Sequence, residues 1–329
     1  MIAYGAVGLD AALEACRFLR QYFPATRLIR SESLSQLVGG NVYLKLETEL
    51  PTGTFKVRAA LYALSKRLEA TAIQEVVASS TGNHGAAVAY AGQVLKLPVT
   101  IFLPKNASTV KRARIRGLGG RIVEEGVDSA EAAQLAAEYA RREGIYLLDD
   151  ATDPIVPIAT GTIAYEILAT LPNLSEIYVP IGDSALIRGI AAVTKQVSPD
   201  VRIIGVQATG APAYYLSFKA KKSVNTPTCK TVAAGLATRR THDDNVRACT
   251  DLVSDICLVT DDQMVQAIGH LLLKEQILAE PAGAASTAAL IQATVSHGQN
   301  IVLIVSGSNV SEEVLRRAVG RAGSSDSTS

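Results

Sequence analysis

The chain has 329 residues, of which 48% are hydrophobic and 19% are charged, which is enough for a large core and suggests two domains or lobes. Its 32 basic and 31 acidic residues leave a formal net charge of +1, so no overall field favours nucleic acid or an anionic membrane as a partner. No apolar run reaches membrane-spanning length, and the four cysteines form no Cys-x-x-Cys pair, so we expect a cytoplasmic protein with reduced thiols.

Short apolar runs alternate with helical patterns through the first half of the chain. We predict strands at 42–47, 76–79, 99–104, 121–123 and 145–148. Between them we predict helices at 8–22, 59–69, 86–96, 108–118 and 129–142, and a short amphipathic segment at 33–38.

The same alternation continues in the second half. We predict strands at 176–180, 201–206, 256–259 and 301–305, and helices at 158–170, 185–197, 261–278, 283–295 and 311–319. The polar stretch 207–250 has no clear pattern, and 301–305 is the most apolar strand, which we expect to be central. This alternation predicts an α/β fold with mostly parallel sheets and helices on both faces.

One segment, residues 51–58, joins a predicted strand to a predicted helix and contains a lysine in an unusual position. Pro51 and Gly53 interrupt the backbone, and Thr54 is a reasonable N-cap. Lys56 then lies in the first turn of the helix, where the macrodipole disfavours a cation. Either a partner answers the charge, or a lowered pKa serves chemistry; a solvated surface lysine is the alternative.

Three further loops at the ends of predicted strands are rich in small polar residues. Residues 79–85 enter a helix and could bind an anion such as a carboxylate, or form an ordinary N-cap through Thr81 or Asn83. Residues 180–186 could hold a phosphate on backbone N–H groups, although Asp183 opposes an anion at its side chain. In 305–310, Ser306 or Ser308 could bind a ligand or form a turn. A lysine together with a phosphate-binding loop is what a Schiff-base cofactor needs.

Three segments, 51–58, 80–85 and 306–310, together with 234–239 and 280–284, resemble motifs of the pyridoxal-phosphate enzymes of the tryptophan-synthase-β type (fold type II). The sequence is most similar to the serine/threonine dehydratase branch, and the matches span about residues 26–320 in family order. The resemblance implies two lobes, each an open sheet, with pyridoxal 5'-phosphate in the cleft between them. It also implies a larger cofactor-binding domain at 1–47 and 156–320, a smaller substrate-binding domain at 48–155, and a disordered tail at 321–329.

The resemblance also implies a role for each site residue. Lys56 would carry the cofactor as a Schiff base and move the α-proton, with Phe55 beside the ring. Asn83 would bind the ring hydroxyl, and Ser306 the pyridine nitrogen. The residues around the substrate carboxylate would be Ser80, Thr81, Gly82 and His84. The residues that offer backbone N–H groups to the phosphate would be Gly182, Asp183, Ser184, Ala185 and Leu186.

The chain departs from the family pattern at three positions. Asp183 stands where relatives have glycine, and must point away from the phosphate or meet a cation such as Arg188. Gln207 stands where members with a divalent cation site have an acid, so we expect no metal site. Ala234 replaces an acid that many relatives carry, which predicts a changed substrate preference.

The activity that the resemblance implies is β-elimination from a hydroxy-amino acid such as L-threonine or L-serine, giving a 2-oxo acid and ammonia in a homodimeric lyase. β-Replacement or amino-acid racemisation in the same fold stays open, as does a non-catalytic relative that binds a ligand. A nucleotide-binding α/β protein is disfavoured, because the strand at 201–206 leads into Gln207 and not into an acid for ribose.

Overall fold

The computed structural model describes residues 7–107 and 109–325. The strands are β1 (Leu28–Arg30), β2 (Asn41–Leu46), β3 (Glu75–Ser79), β4 (Val99–Leu103), β5 (Arg121–Glu124), β6 (Ile145–Leu147), β7 (Leu174–Pro180), β8 (Arg202–Ala208), β9 (Asp255–Val259) and β10 (Asn300–Val305). The helices are α1 (Leu9–Leu19), α2 (Glu32–Val38), α3 (Lys56–Ala70), α4 (Asn83–Leu95), α5 (Thr109–Gly117), α6 (Ser129–Tyr139), α7 (Val156–Leu168), α8 (Ala185–Val197), α9 (Ala213–Ala220), α10 (Asp243–Leu252), α11 (Asp261–Glu275), α12 (Pro281–Ile291) and α13 (Glu312–Ser325).

The strands form two separate sheets. One sheet has the order β1-β2-β10-β7-β8-β9, and the other has the order β5-β4-β3-β6. Every pairing is parallel except that of β1 with β2. The α/β class with two mostly parallel sheets is therefore confirmed. The second sheet uses only strands from the segment predicted as the smaller domain, but the domain limits themselves stay a prediction.

Strand β10 is central in the larger sheet, as its composition predicts. It lies between β2 and β7, and residues 301–305 are fully buried. A parallel strand with helices on both faces has no solvent-facing side, so an uninterrupted apolar run is stable there. Helix α12 is also buried along most of its length. Its alanines and small polar residues allow the neighbouring strands to pack closely against it.

Four local predictions differ from the structure. Residues 28–30 form an edge strand where no strand is predicted, and the polar stretch 207–250 contains α9 and α10. The last helix continues to Ser325, into the segment predicted as a disordered tail, while 326–329 and the predicted helix start at Ser108 lie outside the described residues. Thr54 is not the N-cap of α3, because Phe55 occupies that position. Across the described residues, no helix is both long and apolar enough to cross a membrane.

Candidate active site

A cavity of about 770 Å³ lies between the two sheets, at the loops that follow their strands. A volume of this size is typical of a site for a cofactor and a small substrate. All thirteen residues that the sequence analysis assigns to the site line it: Phe55, Lys56, Ser80, Thr81, Gly82, Asn83, His84, Gly182, Asp183, Ser184, Ala185, Leu186 and Ser306.

Lys56 is the first residue of α3 and faces this cavity with only 17% of its side chain exposed. Its amine donates a hydrogen bond to Asp150 Oδ2. Burial alone would lower the pKa of Lys56, but the charges of Asp150 and Asp183 and the hydrogen bond to Asp150 together outweigh burial, and the pKa is raised above its ordinary value. Asp150 therefore compensates the charge of Lys56. The alternatives, a solvated surface lysine and a lysine with a lowered pKa, do not hold for the described structure.

The loop that carries Lys56 is tied to the loop after β10. Thr54 Oγ1 donates to the carbonyl of Ser306 over 3.1 Å, and Phe55 N donates to the same carbonyl over 3.1 Å. Gly53 accepts a hydrogen bond from Ser308 N at 2.9 Å and has φ of 64°, a left-handed conformation that glycine adopts freely. These contacts bring the side chains of Lys56 and Ser306 to the same cavity.

The loop between β3 and α4 presents an open helix N-terminus. Gly82 is the N-cap of α4 and supplies no side-chain cap, so the alternative of an ordinary cap through Thr81 or Asn83 is wrong. The Asn83 amide is instead held on both sides. It donates to Glu280 Oε1 over 2.6 Å, and its oxygen accepts from Asn309 Nδ2 over 2.6 Å. The Asn83 side chain is thereby fixed at the cavity wall.

The loop between β7 and α8 has the form of an anion cradle. It opens onto the N-terminus of a 13-residue helix, where backbone N–H groups and the helix dipole favour negative charge. Gly182 packs so closely on a neighbouring turn that an added Cβ would lie 2.2 Å from the carbonyl oxygen of Gly235. Ser184 has φ of 70°, which turns the chain from strand to helix.

Asp183 points into this region, but it does not meet Arg188. Its Oδ1 accepts a hydrogen bond from the Thr238 hydroxyl at 3.0 Å. Arg188 instead donates to Ser184 Oγ and to the carbonyl of Ala151, each over 3.1 Å. Burial, together with the negative charge of Asp150, raises the pKa of Asp183 above its ordinary value.

The structure adds cavity residues to which the sequence analysis gives no role: Arg114, Asp150, Thr238, Glu280 and Asn309. Glu280 is buried, and burial raises its pKa despite the hydrogen bond from Asn83. Asp150 follows the strand β6, so the rule that ligands gather at strand ends could have indicated it. Thr238, Glu280 and Asn309 lie in segments that carry the family resemblance, and only their contacts assign them to the site.

The arrangement fits a cofactor with an aldehyde and a phosphate. A buried amine is the group that condenses with an aldehyde, the β7–α8 loop offers N–H groups to a phosphate, and Asn83 and Ser306 provide polar contacts for a ring. Among the described residues, no group of His, Cys, Asp and Glu could hold a metal ion. The fold and the site together define an α/β enzyme of the pyridoxal-phosphate class.

Comparisons with known proteins agree with this class. Residues 19–307 match the family model described as pyridoxal-phosphate dependent enzyme, and the chain belongs to this family. It is 31% identical to an L-threonine ammonia-lyase of Thermotoga maritima, over 96% of this chain and 79% of that protein.

Solved structures give the same result. The chain superposes on the processed form of threonine deaminase isoform 2 from Solanum lycopersicum with a TM-score of 0.89 and 30% identity, covering 96% of this chain and 93% of that one. It also superposes on maize serine racemase with a TM-score of 0.86 and 28% identity, covering 97% and 99% of the two chains.

Proposed function

We propose that the protein is a pyridoxal-phosphate-dependent ammonia-lyase that eliminates water from a hydroxy-amino acid such as L-threonine or L-serine, with release of a 2-oxo acid and ammonia. The observation that carries the proposal is the Lys56 amine, buried in one cavity with an anion cradle and a ring-binding side chain. Relatives named L-threonine ammonia-lyase support the reaction and the substrate class.

In this proposal the residues of the β7–α8 loop hold the phosphate. The backbone N–H groups of 182–186 lie at the N-terminus of α8, whose positive end favours an anion. A carboxylate at Asp183 would repel the phosphate, and the raised pKa of Asp183 lessens this repulsion because its carboxyl takes up a proton more readily. The bond from Thr238 holds that carboxyl at one oxygen, so the other is available for the phosphate.

The ring of the cofactor lies between the other loops in this proposal. Asn83 binds the ring hydroxyl, oriented by Glu280 and Asn309, and Phe55 packs beside the ring. Ser306 binds the ring nitrogen with a neutral hydroxyl. When bound, the cofactor would withdraw electrons from the α-carbon of the substrate, and a neutral partner makes that withdrawal weak enough to favour elimination over reactions that need a long-lived carbanion.

The substrate carboxylate is placed by the N-terminus of α4 in this proposal. Ser80, Thr81 and Gly82 surround it with hydroxyl and N–H donors. His84 lies at the same wall, and its Nε2 donates to the carbonyl of Leu148 over 2.9 Å, which fixes the ring. The α-proton then faces Lys56 Nζ, the atom that removes it, and exclusion of water by the buried walls strengthens both steps.

We also propose that the protein is cytoplasmic and homodimeric, and that the segments 1–47 and 156–320 serve the cofactor while 48–155 serves the substrate. The free state of the four cysteines supports the cytoplasmic location, and the separation of the strands into two sheets supports the division of roles between the segments. The absence of a metal site, for which Gln207 is the sequence indication, stays a prediction. Light scattering coupled to size-exclusion chromatography tests the dimer.

Product analysis tests the proposed reaction and separates it from racemisation, which the similarity to maize serine racemase favours as the second candidate. The purified protein is incubated with L-threonine and with L-serine, and 2-oxo acid, ammonia and the D-isomer or epimer are measured together. We expect 2-oxo acid and ammonia in equal amounts. Stereoisomers without ammonia would show racemisation and overturn the proposed elimination.

A lysine pair controls this experiment. Lys56→Ala should abolish product formation, because it removes the cavity amine. Lys66→Ala changes a lysine on the same helix whose amine pairs with Glu14 and Glu69 at the surface, and it should retain activity. Loss of activity in both variants would point to damage to α3 and not to lost chemistry.

A further inference from the structure

Lys56 does not stand alone in the cavity but is the last member of a line of polar groups. Asp150, in the segment between β6 and α7, accepts a hydrogen bond from Lys56 Nζ at its Oδ2 atom. The same oxygen lies 3.7 Å from His84 Nδ1. Both carboxylate and amine are largely buried, with 13% and 17% of their side chains exposed. The carboxylate is therefore held between two cationic or potentially cationic groups.

The hydrogen bond between His84 and the Leu148 carbonyl shows which nitrogen of His84 carries a hydrogen. His84 Nε2 lies 2.9 Å from the carbonyl oxygen of Leu148, which can only accept, so Nε2 carries a hydrogen. His84 Nδ1 is then the nitrogen that faces Asp150. The order from the protein toward the cavity is the Leu148 carbonyl, His84, Asp150 and Lys56.

We propose that Asp150 is the positioning residue of Lys56: it fixes Nζ at the cavity and stabilises the proton on that nitrogen. The inference rests on the proposed function, in which Lys56 carries the cofactor and removes the α-proton. No part of the family resemblance assigns a role to Asp150.

Asp150 affects the basicity of Lys56 by acting on its protonated form. Proton removal turns a neutral amine into an ammonium group, and a carboxylate within hydrogen-bonding distance stabilises that ammonium in a site with little water. Asp150 therefore makes Lys56 a stronger base. The directions of the two shifts agree with this geometry, since the pKa of Lys56 is raised and that of Asp150 is lowered.

Other charged groups also face this pair, and they come from several elements. They are His84 on α4, Asp149 beside Asp150, Asp183 in the β7–α8 loop and Glu280 before α12. Burial raises the pKa of both Asp183 and Glu280. The charges of Asp183 and Asp149 each act on the pKa of Lys56 less than that of Asp150 does. Asp150 is thus the carboxylate with the dominant influence on Nζ.

The test is a pH titration of the visible absorption band of the holoenzyme, which reports the proton on the nitrogen that Lys56 gives to the cofactor linkage. Asp150→Asn keeps the shape and removes the charge, and Asp150→Ser is a second charge-free variant in case the first does not fold. We expect the midpoint of the titration to fall by about 1–3 pH units in both. Asp150→Glu should stay nearer to the wild type, because it keeps the charge.

Asp149→Asn is the matched control. It makes the same substitution at the next residue, whose carboxylate accepts hydrogen bonds from Ala151 N and from the Thr152 hydroxyl. Its midpoint should fall clearly less than that of Asp150→Asn, because the charge of Asp149 acts on the pKa of Lys56 more weakly than that of Asp150. If Asp150 had only a structural role, the titration midpoints of its variants, of Asp149→Asn and of the wild type would be the same.

The proposal would be overturned if the midpoints of Asp150→Asn and Asp150→Ser lay within about 0.5 unit of the wild type. It would also be overturned if the midpoint of Asp150→Glu fell as far as those of the two charge-free variants. The titration needs no turnover. A protein that shows the band but releases no 2-oxo acid therefore refutes the proposed reaction, while the shift of the midpoint still decides the role of Asp150.

Discussion

The helix that begins at Lys56 is anchored by a buried network of four charges, and this network allows a quantitative prediction. Arg58 donates to Glu47 over 2.7 Å and to both oxygens of Glu166 over 2.9 Å. Lys45 donates to Glu166 over 2.6 Å. All four side chains are at most 4% exposed. Two cations and two anions thus balance each other without solvent.

Glu166→Gln keeps the size of the side chain but removes one of the two negative charges. Arg58 and Lys45 are then left with Glu47 alone, so one positive charge is uncompensated in the core. Breaking a buried pair in this way costs about 3–5 kcal/mol of unfolding free energy. Glu69→Gln, on the exposed end of α3, breaks only its pair with Lys66 and should cost about 0.5 kcal/mol or less.

The assay is urea unfolding of both variants and the wild type at neutral pH, followed by circular dichroism. The pKa of Glu166 lies below its ordinary value of 4.5, because Arg58 and Lys45 outweigh the effect of burial. A depressed pKa adds stability above the unfolded value and loses it as the pH falls through the folded value. The difference between wild type and Glu166→Gln should therefore shrink in acid. A cost at neutral pH within about 1 kcal/mol of that of Glu69→Gln would refute the reasoning.

Three further predictions concern the cofactor and the thiols. Gly182→Ala puts a Cβ 2.2 Å from the Gly235 carbonyl oxygen, and relief of such an overlap costs about 1–3 kcal/mol. The dissociation constant for pyridoxal phosphate, measured by absorbance titration, should therefore rise about tenfold. An unchanged constant would exclude a phosphate site at this loop. Ser306→Ala should weaken the same binding about fivefold, the value of one hydrogen bond; equal affinities would remove Ser306 from the site. Burial raises the pKa of Cys249 to about 12, so a disulfide reagent at neutral pH should react with the half-buried Cys229 first; a fast phase that survives in Cys229→Ser would contradict this.

The sequence predicts most of the fold because its signals are local. Strands such as β10 are continuous apolar runs, and helices such as α8 follow small-residue loops at the predicted residues. Strand β1 is missed because three residues carry no period, and its pairing with β2 is decided by tertiary contact. The helices α9 and α10 are missed because their stretch is polar and interrupted by proline.

In the candidate site, too, the sequence predicts the residues in the loops but not the contacts that depend on the tertiary fold. Loops at strand ends identify Lys56, Asn83 and Ser306 as neighbours, since parallel strands bring their carboxyl ends together. The same rule indicates Asp150, which follows β6, but it does not pair Asp150 with Lys56, because that hydrogen bond depends on side-chain placement in the folded chain. The sequence predicts that Asp183 points away from the phosphate or meets a cation such as Arg188, and the fold supplies the hydroxyl of Thr238 as its partner.

The central claim, that Lys56 carries the cofactor, can be tested directly by locating the covalent link. The holoenzyme is reduced with borohydride, which makes the linkage between cofactor and amine permanent, and the digested peptides are analysed by mass spectrometry. We expect the pyridoxyl group on the peptide that contains Lys56, and on no peptide from Lys56→Ala treated in parallel. A label on another lysine that faces the cavity, such as Lys111, or no label on the wild type, would contradict the account.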